Sequence, residues 1–495
     1  MKHPIFYREV KKMLSENFAY PMLMKYFERI SEIPRGSYNE KAIADYIENF
    51  AKERNLECYK DSANNVFVRL PATKGYENEK AVLLQGHTDM VCEKNEGVQH
   101  DFEKDPLKLY EKDGWIRAEG TTLGADNGVA VAMMLYILDG AEGNLGAHPT
   151  IECLFTASEE VGLDGVKSFD YSFISARQMI NMDSADESMI IAGCAGGIRS
   201  SMTFDFTPVD ISGETLLITL KGLAGGHSGE DINRGRANAN KLMSRVLLSL
   251  SEKVSVNIVS FMGGSKDNAI PREATAIIAT DDIIKACEVV DNISSEIKAE
   301  LGKDDVGFSL NAKAVDCESK KMLNKADTDK IIFFGATVAN GIFEMNKSID
   351  GLVEFSRNFG ISCVDTDSVE LVFSTRSSID SQIDHSISQL DSYAKMLGGK
   401  VRHYSRYPGW NFAERSEIRE KYSDEYYKRF REKPSILVIH AGLECGIIKE
   451  NIPDMDIISC GPIILDLHSP DEALDKASFE KFCGIIIGIL NFDTN

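Results

Sequence analysis

"IECLFTASEEVGLDG", residues 151–165, decides the class of fold. It opens as an apolar run of strand length, the pattern of a strand buried in a sheet. It then ends in two adjacent glutamates, Glu159 and Glu160, and turns at Gly162. Neighbouring side chains of a strand point to opposite faces. Two like charges side by side at the end of a buried strand therefore need a reason, and the surrounding sequence supplies candidates.

Working outward, "NVFVRL" (65–70), "AVLLQGH" (81–87) and "QMINMDS" (178–184) are further short apolar strands. Helical patterns lie among them. In "SYNEKAIADYIENFAKERN" (37–55), Ser37 and Glu40 have capping-box spacing, and Ile43, Ile47 and Phe50 recur at helical spacing. "DNGVAVAMMLYILDG" (126–140) is a second helix with Asp126 placed as its N-cap. Strands alternating with helices predict an α/β domain with a mixed, mostly parallel sheet.

After Asp183 the texture changes. A glycine-rich passage, "AGCAGGIRSS" (192–201), reads as a hinge or crossover. Strand "TLLITLKG" (215–222), helix "ANANKLMSRVLLSL" (237–250) and strands "VSVNIVSF" (254–261) and "EATAIIAT" (273–280) follow. A helix near 282–301 and a strand at 306–314 complete a ferredoxin-like βαββαβ order. "VELVFSTRSS" (369–378) and "IDHSISQLDSYAKML" (383–397) add a strand and a helix before "SILVIH" (435–440) and "DIISC" (456–460) restore the α/β texture. The expected organisation is a discontinuous α/β domain, 1–186 and 401–495, interrupted by an inserted α+β domain, 187–400.

The bulk properties narrow the function. A chain of 495 residues is long enough for two or more domains. A formal net charge of −22 argues against a nucleic-acid interface and against docking on anionic membranes. The N-terminal "MKHPIFYREVKKML" lacks a signal-peptide apolar core, and "CGIIIGIL" (483–490) is too short to span a bilayer. Ten cysteines without a CxxC pair read as thiols in a reducing compartment, so a cytoplasmic location is expected.

Metal-capable side chains gather at the strand ends. His87 and Asp89 close one strand, Glu159 and Glu160 a second and Asp183 a third, while Asp126 opens a helix. In parallel α/β sheets ligands bind beyond the carboxyl ends of the strands. Singly, such an Asp or His is more often a turn former or a cap. Together they make a coherent site of imidazole and carboxylate donors without cysteine, which suits Zn, Mn or Co. A pair of divalent ions needs a bridging carboxylate and a separation of roughly 3.5–4 Å. That donor set needs one more histidine, and His468 in "LDLHSPDE" follows a strand-like run.

The order "LLQGHTDMVCEKN", "GTTLGADNGVAVAM", "LFTASEEVGLDG", "INMDS…AGCAGG", "AGGHSG", "DNAIPREA", "STRSSID", "YPGW", "IHAGLECG", "HSPDE" resembles the M20 metallopeptidases over almost the whole chain. Within them it is most similar to the PepD-type aminoacyl-histidine (Xaa-His) dipeptidases. The resemblance implies two divalent ions per subunit, zinc first and cobalt or manganese as alternatives. His87, Asp126 and Asp183 would hold one ion; Asp126, Glu160 and His468 would hold the other, with Asp126 bridging. Asp89 would orient His87, Glu159 would be the general base, and His227 in "AGGHSG" would stabilise charge on the attacked carbonyl. Arg376, Asn268 and Gly442 would receive the carboxylate end of a small peptide substrate. The resemblance also implies a cis peptide between Asp126 and Asn127, lid closure about hinges near 184–200 and 398–408, and a homodimer. An aspartate at 183 favours dipeptide hydrolysis, because the related carboxypeptidases tend to carry glutamate there.

One departure stands out. In "ILDLHSP", Asp466 occupies a stretch where PepD-type chains more often have Gly and Pro. His440 receives no role beyond a structural one. Alternatives to the Xaa-His reading are an N-acyl-amino-acid or other amide hydrolase and a broader di- or tripeptide aminopeptidase on the same metals. An inactive metal-binding scaffold and a two-metal nuclease are further from the residues present.

Overall fold

A computed structural model of the chain describes residues 14–140, 145–347 and 349–492. It divides into two compact units: Met1–Gly193 with Phe412–Val438 and Leu443–Asn495, and Cys194–Asn411 with Ile439–Gly442. The first unit thus runs past 186 and resumes later than 401. The four-residue excursion Ile439–Gly442 into the second unit has no signature in the sequence.

The first unit is built on an eight-stranded mixed sheet. Its order is Glu57–Lys60, Val66–Leu70, Ile151–Thr156, Val82–His87, Gln178–Asn181, Asp456–Ser459, Met189–Cys194, Ser435–Ile439. The central pairs are parallel: Val82–His87 lies between Ile151–Thr156 and Gln178–Asn181, with Gln85 opposite both Leu154 and Asn181. Ile151–Thr156 and Val82–His87 are buried at every position, as their largely apolar runs suggest. The helix Ala125–Asp139 is apolar on every side and accordingly buried all round. It packs in one core with Phe27 and Ile30 of Pro21–Ser31, Ile43 and Ile47 of Lys41–Glu53, and Phe479, Phe482 and Ile486 of Lys476–Leu490. Each fully buried side chain of this size contributes about 1.5–3 kcal/mol.

The predicted caps are used differently. Asp126 is not an N-cap: at φ −82°, ψ 105° it lies in a non-helical start of its helix, after Gly124 at φ 65°. The capping box does not form either. Lys41–Glu53 starts without a side-chain cap, and Ser37 and Glu40 bond Asp89 and Ser158 instead.

The second unit carries the βαββαβ element, with strands Glu214–Lys221, Asn257–Gly263, Ala274–Thr280 and Ser309–Ala314. They pair antiparallel with the fourth beside the first, then the third, then the second. The helices Ala239–Ser251 and Ile283–Glu300 bury Met243, Leu247, Val290 and Ile297 against Leu216, Ile218 and Ile258 of this sheet. The sheet continues through Val353–Val364, Val369–Ser377 and Gly196–Phe204 to Gly399–Tyr407, with Gly341–Met345 beside Val353–Val364, nine strands in all. No disulfide joins any of the ten cysteines. Among the described residues no helix is long and apolar enough to cross a membrane.

Candidate metal centre

Three neighbouring strands of the first unit end at one place. His87 closes its strand, and Glu159 and Asp183 each lie within three residues of the ends of Ile151–Thr156 and Gln178–Asn181. The Ile151–Thr156 strand is left through Ser158, whose φ is 52°, and Glu159 begins a turn in which its carbonyl accepts the N–H groups of Gly162 and Leu163. The two glutamates are therefore turn residues, and the alternation of a pleat no longer separates them.

Asp126 is the centre of the cluster. Its Oδ1 lies 3.1 Å from His87 Nε2 and its Oδ2 lies 3.1 Å from His468 Nε2. Asp183 Oδ1 is 3.5 Å from His87 Nε2, and Glu160 Oε1 is 3.1 Å from His468 Nε2. Three donor sets converge, each with its ligand atoms within 4.8 Å of one another: His87–Asp126–Asp183, Asp126–Glu160–His468 and His87–Glu159–Glu160. The peptide between Asp126 and Asn127 is cis. Asn127 Nδ2 donates to the carbonyl of Met182 and to Asp183 Oδ1, both at 2.8 Å, and so orients that carboxylate.

Asp89 organises the periphery. His87 Nδ1 lies 3.1 Å from the main-chain carbonyl of Asp89 and 3.4 Å from its carboxylate Oδ1. That carboxylate accepts the N–H of Glu159 on one oxygen (3.0 Å) and of Glu160 on the other (3.2 Å), together with the Ser37 hydroxyl. The loop entering His468 takes φ 52° at Asp466 and φ 60° at His468. Asp and His are among the side chains that tolerate this left-handed region, so Asp466 fits where a glycine would be the common choice.

The donor set fits divalent cations. Glu160 Oε1 is buried and faces the His468 imidazole at 3.1 Å. His468, half exposed, is pushed up to about 10 by its bonds to Asp126 and Glu160. Burial lowers the proton affinity of His87, yet the field of Asp183 and the bonds to Asp126, Asp183 and Asp89 raise it well above the ordinary imidazole value. The field that draws protons onto two imidazoles also favours a metal cation among them. Burial pushes Glu159 well above the usual carboxylate range, and Asp183 and Glu160 reinforce this.

Sequence reasoning did not single out the supports beneath the site. Glu444, wholly buried, accepts from Gln85 Nε2 (2.5 Å) and Thr156 Oγ1 (2.8 Å), and Gln85 accepts from Asn181 Nδ2 (2.6 Å). This network ties together the three strands that deliver His87, Glu159 and Asp183. Burial lifts Glu444 to about 7. Its signal was present, since Gln85 and Asn181 are polar residues inside apolar strands.

The second unit gathers the other candidates. His227 Nε2 is 3.4 Å from Arg376 Nη2, and Arg376 Nη1 donates to the Tyr407 hydroxyl at 2.9 Å. Arg376 is 7% exposed, its Nε has no partner, and its Nη groups meet Tyr407 and His227 rather than a carboxylate. Gly442 lies against the Tyr407 ring, where a Cβ would come within 2.5 Å. Asn268 accepts the N–H of Ser228 on its main-chain carbonyl, one residue from His227. His440 Nε2 bonds the Ser356 hydroxyl at 2.7 Å, and burial, reinforced by Arg376 and His227, lowers its pKa to about 3.

Comparison with known proteins places this architecture. Residues 218–307 match the family described as "Peptidase dimerisation domain" of the M20 type, and residues 65–195 match "Peptidase family M28". The chain is 39% identical over 470 residues to the cytosol non-specific dipeptidase of Escherichia coli K12, covering 94% of this chain and 96% of that one. The chain belongs to the M20 metallopeptidase family. A second M20-type relative is the aminoacylhistidine dipeptidase of Vibrio alginolyticus. Its crystal structure superposes with a TM-score of 0.87 at 38% identity, over 96% of this chain and 97% of that one. The Bacillus cereus aminopeptidase PepT shares the M20 fold at 16% identity, with a TM-score of 0.56 over 96% of this chain and 98% of that one.

Proposed function

We propose that this M20 peptidase is a two-metal dipeptidase that hydrolyses the single peptide bond of dipeptides, Xaa-His substrates among them. The observation that carries the reading is Asp126: one carboxylate oxygen faces each histidine, and two of the three donor triads share it. His87, Asp126 and Asp183 would hold one divalent ion, and Asp126, Glu160 and His468 the second, with zinc the best match to nitrogen and carboxylate ligands. When bound, such ions acidify water toward a pKa near 7 and polarise a peptide carbonyl. Two similar proteins named as dipeptidases support the substrate class.

The chain's own residues do the rest. Glu159 shares the third donor set with His87 and Glu160 but not the two built on Asp126; its carboxylate takes no hydrogen bond from the described residues, and its proton affinity is raised by burial. A carboxylate so placed takes a proton from the attacking water and returns it to the leaving amine. Asp89 fixes the main chain of Glu159 and Glu160 and backs His87. In the second unit, we assign Arg376 to the terminal carboxylate, because a buried guanidinium without an anionic partner suits a planar, bidentate ligand. His227 is assigned to the carbonyl on which negative charge develops, and Asn268 and Gly442 line the same end of the substrate. The match of residues 218–307 to a dimerisation domain supports a homodimer, and the cytosolic relative supports a cytoplasmic location.

The test is a panel of dipeptides, including β-Ala-His, and N-acetyl amino acids, assayed with the zinc-loaded enzyme. Glu159→Gln is expected to lower kcat by about 10²–10⁴-fold with metal content unchanged. Turnover of N-acetyl amino acids without turnover of any dipeptide would overturn the substrate class. Unchanged hydrolysis in Glu159→Gln would overturn the mechanism.

A further inference from the structure

Two buried charged residues grip the main chain on either side of Asp126, and neither is a candidate ligand. Arg35 is 1% exposed and Glu472 2% exposed. The Arg35 guanidinium donates from Nη1 to the carbonyls of Thr88 (3.0 Å) and Asp89 (3.3 Å), and from Nη2 to that of Gly124 (2.5 Å). It therefore links the segment that follows His87 to the segment that precedes Asp126. Glu472 works on the same loop with the opposite polarity. One oxygen accepts the N–H groups of Leu123 (2.8 Å) and Gly124 (2.9 Å), and the other accepts that of Asp126 (3.2 Å).

Neither side chain neutralises the other through a direct ion pair. Each charge is spent on backbone dipoles, and a charge-assisted hydrogen bond to backbone is roughly twice as strong as a neutral one. The sequence makes room for this. A Cβ on Gly124 would come within 2.6 Å of Arg35 Nη2, and one on Gly128 within 2.7 Å. The two glycines of "LGADNG" thus flank the bridging carboxylate because a guanidinium occupies the space beside them.

We propose that Arg35 and Glu472 are positioning residues that hold Asp126 at its distance from His87, so that the donor sets are preorganised before any cation arrives. The proposal rests on the two-metal reading of the site. Asp126, Asp183 and Glu160 are like charges gathered around two histidines. Without a clamp the Asp126 loop can recoil from its neighbours, and each binding event must first restore the geometry. Ligand groups locked by surrounding hydrogen bonds avoid that cost.

The test uses Glu472→Gln and Arg35→Lys in the full-length protein, with zinc as the probe. Glutamine keeps the volume of Glu472 but offers one carbonyl oxygen to three N–H groups. Lysine keeps the charge of Arg35 but cannot span three carbonyls with a planar fork. Zinc affinity, measured by competition with a chromogenic chelator, is expected to fall at least tenfold in both variants. In the metal-free protein, amide hydrogen exchange at Leu123, Gly124 and Asp126 is expected to rise at least tenfold in Glu472→Gln, with the central strands unchanged. Zinc affinity equal to that of the unsubstituted protein in either variant overturns the proposal. So does a rise in exchange spread evenly over the first unit. Normal zinc binding without dipeptide hydrolysis in the unsubstituted protein would overturn the proposed function and leave the clamp standing.

Discussion

His440 should make the second unit acid-labile, by an amount that can be stated in advance. The ring is 7% exposed, bonded to Ser356 and placed where burial, then Arg376 and His227, oppose a positive charge. Its pKa falls from an ordinary 6.5 to about 3. In the unfolded chain the same ring takes a proton near pH 6.5, so between pH 6.5 and 3 the unfolded state binds one proton more than the native state. Stability from this group is complete above pH 6.5 and is lost as pH falls toward 3. Each pH unit in that window costs about 1.4 kcal/mol. The loss is about 2 kcal/mol at pH 5 and approaches about 5 kcal/mol at pH 3. His440→Asn retains a polar partner for Ser356 but does not titrate. Urea unfolding between pH 5 and 7, followed by fluorescence in a Trp115→Phe background, reports the second unit through buried Trp410. The parent should lose about 2 kcal/mol more than the variant over this range. Equal losses, within about 0.5 kcal/mol, would refute the assignment of a neutral, desolvated His440.

Three further outcomes test other parts of the architecture. Arg376→Lys should raise KM for dipeptides about tenfold or more with a smaller change in kcat, because a lost carboxylate clamp is chiefly lost ground-state binding; steady-state kinetics decide it. Chelation should abolish hydrolysis and lower the unfolding midpoint. Zinc restored at 100 times its Kd should return about 2.7 kcal/mol for each ion bound, read by calorimetry. Gly461→Ala should destabilise by about 1–3 kcal/mol, because the new Cβ would lie 1.8 Å from the carbonyl of Ser184, and zinc affinity should fall with it since Ser184 follows Asp183.

The fold was legible where burial decides the pattern. Ile151–Thr156 and Val82–His87 are wholly buried and read as apolar runs, and the βαββαβ order emerged from alternation alone. The local caps were misread for a single reason. Ser37, Glu40 and Asp126 are residue types that cap helices, but here their oxygens serve Asp89, Ser158 and the histidines, and tertiary demand outweighs a contribution of about 1 kcal/mol. Arg35 was illegible for a related reason. An isolated arginine in "IPRGS" reads as surface charge, and only the folded chain brings the carbonyls of Thr88, Asp89 and Gly124 to one guanidinium. The convergence of metal-capable side chains at strand ends could be read because the topology of a parallel sheet sends them there. The two charges that grip the Asp126 loop, Arg35 and Glu472, come from distant segments, and no local spacing announces them.

The paired glutamates follow from the same geometry. Ser158 turns the chain out of the pleat, and Asp89 then takes the N–H of Glu159 on one carboxylate oxygen and that of Glu160 on the other. One buried carboxylate thus fixes two successive peptide units. The adjacency of the two glutamates is what allows a single anchor to place both. Their side chains meet different surroundings. Glu160 reaches His468 and joins a donor triad with Asp126, whereas the Glu159 carboxylate takes no hydrogen bond from the described residues and has its proton affinity raised by burial. Separating the two glutamates by even one residue would leave one peptide unit without its anchor. On the proposed mechanism, like charges side by side are the consequence of seating a metal ligand and a proton carrier on the same hinge.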